Sequence, residues 1–170
     1  RLSETYRFSS GSQCRHRFLS HYFGQDLEPG SCGACDVCLE ELPQVADSRK
    51  VTETVLRCVS ELGERFGAVQ VATVLRGGDT ERVRQFGHDQ LSSHGSMRDY
   101  KQPEIRNFID QLLGQQLLAA RYVDEEKKIS VLGLGEEAPV FLSGGMESKL
   151  FLTRKVSGKK SRRRYGEEVA

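Results

Sequence analysis

Four of the five cysteines in the chain, Cys14, Cys32, Cys35 and Cys38, fall in the pattern C-x17-C-x2-C-x2-C. An x2 spacing lets a tight turn bring two thiolates onto one small ion, and four thiolates complete the closed tetrahedral shell of a structural zinc site. Cys14 lies in SQCRHRFLSHYFG, where Leu19, Tyr22 and Phe23 recur at helical spacing. The first ligand is therefore expected on a helix packed over the cysteine loop. Gly24 is a natural stop for that helix, and Pro29, Gly30 and Gly33 let the chain turn back toward the metal.

Other cysteine chemistries fit less well. A disulfide framework would need an oxidising compartment and would leave an odd thiol. A redox pair at CGAC expects a strand before it and a helix after it, whereas Pro29 and Gly30 precede it and Cys38 follows. An iron–sulfur cluster stays open as the chemical alternative to zinc. His16 and His21 are spare ligands, His21 two helical turns beyond Cys14. Cys58 belongs elsewhere: Val51, Val55, Cys58, Val59, Leu62 and Phe66 fall on one face of a helix, where Cys58 is a small core residue.

At 170 residues, 37% hydrophobic and 29% charged, the chain has room for one ordinary domain plus a small module. No apolar run approaches the roughly 20 residues that span a bilayer, and the N-terminus lacks a signal-peptide core, so an intracellular protein without a membrane partner is expected. Beginning at Arg1 without methionine, the chain reads as a piece of something longer. A net charge of +1 conceals polarisation. Residues 24–47 carry six acids and no Lys or Arg, while residues 154–164 carry seven basic residues and no acid. That tail suits either phosphate or a solvated, disordered linker.

Pro43 and the polar run Gln44 to Arg49 separate the cysteine module, residues 1–43, from a second unit, residues 44–153, with residues 154–170 as the tail. The second unit reads helix, helix, helix, hairpin. Its second helix is AVQVATVLR, 68–76, stopped by Gly77 and Gly78, and Gly87 and Gly95 break the next stretch into short pieces. The third helix opens at Pro103 with Ile105, Phe108, Ile109, Leu112, Leu113 and Leu117 at helical spacing. LAARYVDEEKKISVL makes two strands around the turn Asp124 to Lys128, and KLFLTRKV could add a third. The fold class is mostly α (α+β): a small helix-loop zinc-binding module followed by a winged-helix domain, a three-helix core plus a β-hairpin.

The wheel of the third helix places Asn107, Asp110, Gln111 and Gly114 outward, with Arg106 only at the flank, which is poor equipment for reading bases. Arg76, Arg82, Arg84, His88, Ser92, Ser93, Arg98 and Lys101 gather in the loops before it. Together with Arg106 they favour phosphate gripping over sequence readout, ordinary solvated charges being the plain alternative for each.

Cys14-Arg15-His16-Arg17 leading to Tyr22-Phe23-Gly24, with Cys32-Gly33-Ala34-Cys35-Asp36-Val37-Cys38, resembles the zinc-binding module of RecQ-family DNA helicases. Arg84-Gln85-Phe86-Gly87-His88-Asp89-Gln90-Leu91-Ser92-Ser93-His94-Gly95 resembles the signature of the winged-helix domain that follows it in bacterial members. The resemblance covers residues 1 to 152. It implies that Cys14, Cys32, Cys35 and Cys38 are the zinc ligands, and that the parent is an ATP-dependent 3′ to 5′ DNA helicase of recombination and repair. It further implies duplex, forked or junction DNA and a single-stranded-DNA-binding protein as partners, and a bacterial, cytoplasmic, nucleoid-associated setting. ATP and Mg²⁺ would belong to motor lobes absent from this chain: the nearest P-loop string, SGKKS at 157–161, has Thr153 where the first Gly belongs and Lys160 where Ser or Thr belongs. No catalytic residue is expected here. Some relatives carry an aromatic wedge at the hairpin tip, and the tip here has none, with Tyr122 set back from it. A stand-alone zinc and winged-helix regulator and a protein-interaction module are the rival readings.

Overall fold

The computed structural model describes residue 8 and residues 14–25, 32–39, 43–124 and 129–152. Pro29, Gly30, the turn residues Glu125 to Lys128 and the basic tail fall outside these. In chain order the elements are α1 (Arg15–Tyr22), α2 (Ser48–Glu61), α3 (Ala68–Arg76), α4 (Glu81–Gln85), a 3₁₀ turn (His88–Gln90), α5 (Gln102–Gly114), strands β1 (Leu118–Asp124) and β2 (Ile129–Leu134), and α6 (Ala138–Leu142). Helices dominate, and the strands pair antiparallel with Leu118 opposite Leu134 and Tyr122 opposite Ser130. The expected three-helix core and hairpin are present, preceded by the cysteine module. None of the helices among the described residues is long and apolar enough to cross a membrane.

The core follows from the apolar spacing. α2 buries Val51, Val55, Cys58 and Val59, and also Leu56; α3 buries Val71, Ala72, Val74 and Leu75. α5 packs on α3 and buries Ile105, Phe108, Ile109 and Leu112 completely. Pro103 lies in its first turn, and the Lys101 amide donates to Glu104 Oε2 at 2.7 Å, closing one of the open ends of that turn. α3 ends in left-handed Gly77, with the Gly78 amide reaching back to the Thr73 carbonyl at 2.8 Å.

Several expectations need correction. α2 stops at Glu61, before Gly63 at φ +64°, so Phe66 lies beyond the helix whose face it was expected to extend. The stripe Leu19, Tyr22 and Phe23 on α1 is exposed rather than packed over the cysteine loop. α6 was not anticipated; Pro139 opens it, and it is seated by the Glu137 amide on the Gln116 carbonyl at 3.2 Å.

The late apolar segment does not join the hairpin. Phe151 instead bridges Gln44, with the Val45 amide on the Leu150 carbonyl and the Leu152 amide on the Pro43 carbonyl, both at 2.8 Å. A short strap, residues 148–152, is thereby fastened beside the start of α2. Buried Ser48 accepts the Leu150 amide at 3.2 Å, and the Thr52 and Ser148 hydroxyls meet at 2.6 Å. Its partner edge comes from the start of the domain, and Leu150 and Phe151 are buried there, whereas hairpin residues Tyr122, Val123 and Ile129 stay exposed.

The strap covers one side of α5. Gln111, expected on the exposed face, is 1% exposed. Its carboxamide pairs with both backbone groups of Phe151, and Gln115 Nε2 donates to the Lys149 carbonyl at 3.0 Å. A polar side chain on a helix wheel looks solvent-facing until a backbone edge satisfies it.

Candidate metal centre and nucleic-acid interface

Cys14 precedes α1, accepting the Phe18 amide on its carbonyl at 3.0 Å. Cys32, Cys35 and Cys38 lie on a tight loop in which Gly33 takes φ +64°. The four Sγ atoms lie within 4.8 Å of one another. A tetrahedral ion with Zn–S bonds of about 2.3 Å separates its sulfurs by about 3.8 Å, so the group fits a single zinc. A multi-iron cluster, which gives each thiolate its own iron, needs them further apart. The Cys38 amide points at Cys35 Sγ and the Cys32 amide at Cys38 Sγ, each at 3.4 Å, which favours thiolates. His16 and His21 are not part of the group. None of the described cysteines is in a disulfide, as a metal shell requires.

Burial works against a thiolate at Cys14, but the Arg17 amide and the neighbouring thiols outweigh it and hold the group below its usual range. At Cys32 the Ala34 amide favours the thiolate, yet burial and the Cys35 and Cys14 thiols push it up to about 11. Without a cation the four cannot all ionise; a bound Zn²⁺ would displace the remaining protons and leave no open coordination position for a substrate. The loop is also tied to α1 by a two-pronged ion pair, Arg15 Nε and Nη2 on Asp36 Oδ1 and Oδ2 at 3.0 and 3.1 Å. The Arg15 hydrogen bonds and charge hold the Asp36 carboxyl below the ordinary range. Sequence reasoning missed this pair, although both residues flank cysteines.

The expected phosphate-contacting residues divide into two groups. Arg82, Arg84, Ser92, Arg98, Lys101 and Arg106 are exposed, as is Arg76. His88 and Ser93 are buried, at 6% and 2% exposure, and have almost no surface to offer a phosphate. His88 Nδ1 lies 3.1 Å from Gln70 Nε2, and burial together with the Arg82 charge lowers its pKa, favouring the neutral ring.

Ser92 and Ser93 share one partner, Glu61 at the end of α2. Ser92 Oγ donates to Oε1; Ser93 Oγ and its amide donate to Oε2 at 2.6 and 3.1 Å. Burial tends to raise the Glu61 carboxyl, but these donors outweigh it and hold it below its ordinary value. The same loop is clipped to the end of α3 by the Gly95 amide on the Val74 carbonyl at 2.9 Å and the Met97 amide on the Leu75 carbonyl at 2.8 Å. Nothing in the sequence separates Glu61 from other helix acids, so its role was not legible. Arg98, next along, lays its guanidinium across Gly77 and Gly95; a Cβ at Gly77 would sit 2.9 Å from Arg98 Nε. Arg84 is held by Asp79 at 3.3 Å in an exposed pair.

Two family models match in tandem: the RecQ zinc-binding family over residues 1–39 and the RQC domain family over residues 43–161. Similar proteins include the ATP-dependent DNA helicase RecQ of Bacillus subtilis, 30% identical over 69% of this chain and 20% of the relative. The ATP-dependent DNA helicase RecQ of Haemophilus influenzae is 31% identical over 86% of this chain and 23% of the relative. The ATP-dependent helicase SGS1 of Saccharomyces cerevisiae is 26% identical over 84% and 10%. The chain thus spans less than a quarter of the length of these relatives. The two family models together run through the four-cysteine loop, the three-helix core and the hairpin, and the chain belongs to the RecQ family, of which it carries the zinc-binding module and the RQC domain.

Proposed function

We propose that this chain is the non-catalytic DNA-binding region of a RecQ-like 3′ to 5′ helicase, gripping duplex, forked or junction DNA through its phosphates in repair, recombination and replication. Residues 1–43 form the zinc module, 44–153 the DNA-gripping domain and 154–170 a basic linker. The observation that carries this reading is the covered side of α5. The strap occupies the groove beside Gln111 and Gln115, while the exposed cations sit on the loop and helix start before it. A sequence reader needs a free helix face with base-contacting side chains, whereas a phosphate grip needs only loops with cations.

Arg98, Lys101 and Arg106 are the principal phosphate contacts, with Arg82, Arg84 and Ser92 beside them; His88 and Ser93 shape the loop from inside. Zinc stabilises the module and does no chemistry. ATP and Mg²⁺ would act in motor lobes elsewhere in the parent protein. A single-stranded-DNA-binding protein as partner and a bacterial cytoplasmic, nucleoid-associated location belong to the same reading. The exposed Leu19, Tyr22 and Phe23 on α1 favour, as a second reading, a protein-interaction role for the zinc module.

Fluorescence anisotropy against a forked duplex tests the proposal. Binding should weaken steeply with salt, be blind to base sequence, and fall when Arg84, Arg98 and Lys101 are changed to Ala, the salt slope flattening by about 0.9 for each phosphate no longer neutralised. Unchanged affinity in the triple variant would favour the protein-interaction reading.

A further inference from the structure

Phe86 is 53% exposed. Single exposed apolar residues are common and need no function, but this ring packs within a three-ring cluster. It lies nearly parallel on His88, centroids 5.5 Å apart at 19°, and both rings meet the edge or face of Phe66, at 5.2 Å and 74° and at 4.6 Å and 90°. His88 is in turn fixed by Gln70 on α3. Gly87, at φ +67°, folds the chain so that residues 86 and 88 stack; a Cβ there would meet nothing within 4 Å, so glycine serves the conformation and not the space. Phe86 is thus held against the half-buried Phe66 and the buried His88 while about half of its own surface stays open.

The charge around it limits what that open surface can take. Arg82 lies over Phe66 at 5.9 Å and Arg84 is paired with Asp79. Residues 79–89 hold three acids, Asp79, Glu81 and Asp89, against these two arginines, so the stretch carries a formal charge of −1. Arg82 and Arg84 can therefore add to a phosphate grip centred on Arg98, Lys101 and Arg106, but this stretch does not make one by itself. What the patch offers is a partly open π system, and every base has a π face to set on it. A single ring is also far smaller than the roughly 1,000 Å² a specific protein interface buries.

The patch adjoins the hairpin. The Phe66 carbonyl accepts the Leu132 amide at 2.9 Å, and Gly67 passes so close to the Ser130 carbonyl that a Cβ would lie 2.8 Å from it. The hairpin turn, Glu125 to Lys128, contains no aromatic residue.

We propose that the open surface of Phe86 is a stacking platform for an unpaired nucleobase, placed beside the hairpin at the edge of the DNA grip. This rests on the DNA-binding reading above and adds a ligand class to it: a base inside a duplex has both faces covered by its neighbours, so only an unpaired or terminal base can use the platform. Phosphate contacts hold the duplex, and Phe86 distinguishes a fork or overhang from a blunt end.

The test uses the full zinc-loaded chain and two labelled DNAs, a blunt duplex and the same duplex with a short single-stranded extension whose first unpaired base is 2-aminopurine. Wild type should bind the extended DNA more tightly and quench the 2-aminopurine. Phe86→Ala and Phe86→Leu should bind the extended DNA at least about fivefold more weakly and lose the quenching, with blunt-duplex affinity held within about twofold; Phe86→Trp should keep both properties. Phe86→Leu preserves apolar cover over His88, so it stays informative if Phe86→Ala unfolds. Wild type and Phe86→Leu behaving alike on both DNAs overturns the platform alone. Wild type binding neither DNA overturns the grip and the platform together.

Discussion

Gln111 on α5 clasps the backbone of Phe151: its Nε2 donates to the Phe151 carbonyl at 2.8 Å and its Oε1 accepts the Phe151 amide at 2.9 Å. Both bonds are buried, so the glutamine side chain does for this short strap what a neighbouring strand would do. Gln111→Ala leaves two buried backbone groups unpaired, at about 1–3 kcal/mol each before relaxation or water entry. Chemical denaturation should show a loss of at least about 2 kcal/mol, larger than for Gln116→Ala on the exposed surface, which should change stability by less than about 0.5 kcal/mol.

Removing the metal should separate the two units. The buried core cluster begins at Val45 and includes none of the four clustered cysteines. A strong chelator should release about one Zn²⁺ per chain, cost the α1 circular dichroism signal, and leave the main thermal transition in place. A collapse of both together would show that the core depends on the module.

Glu61 predicts a pH dependence with a definite sign. Its folded carboxyl sits below the ordinary value of 4.5, so its contribution is present above that value and is lost as pH falls through the lower folded value. Glu61→Ala should cost about 1–3 kcal/mol at pH 7 through its charged hydrogen bonds. The gap between the variant and wild type should shrink below pH 4.5, as read from denaturation midpoints across pH.

Gly95→Ala tests the seat of Arg98. Gly95 has φ +71°, and a Cβ would run into the Arg98 guanidinium. The substitution should lower stability by about 1 kcal/mol from the backbone alone and displace Arg98. DNA affinity should then fall toward that of Arg98→Ala. If affinity survives, Arg98 does not touch the DNA.

Periodicity and punctuation carried much of the fold. The cysteine spacing, AVQVATVLR between Gly67 and Gly77, and the two apolar runs either side of the charged stretch Asp124 to Lys128 are local signals, and each maps to the element it suggests. What was not legible depends on distant chain. A helix wheel marks Gln111 as outward because glutamine is polar, yet a segment 40 residues later supplies its partner. His88 and Ser93 looked like phosphate ligands by residue type alone, but Phe66 and Glu61, from another part of the chain, take them inward. The apolar stripe of α1 misled in the opposite sense, since apolar residues recurring at helical spacing do not by themselves imply something to cover them.

The bridge between Gln44 and Phe151 brings the two ends of the described part of the RQC domain side by side, with the Pro43 carbonyl and the Leu152 amide joined at 2.8 Å. The domain is closed at this neck by one isolated antiparallel bridge and the two backbone hydrogen bonds that flank it. A pull between whatever lies before Pro43 and whatever lies after Leu152 would load a few backbone hydrogen bonds near the neck first and reach the helices only once those had parted. The same closeness would let the domain be excised, transplanted or circularly permuted with little rearrangement, because the cut ends already meet.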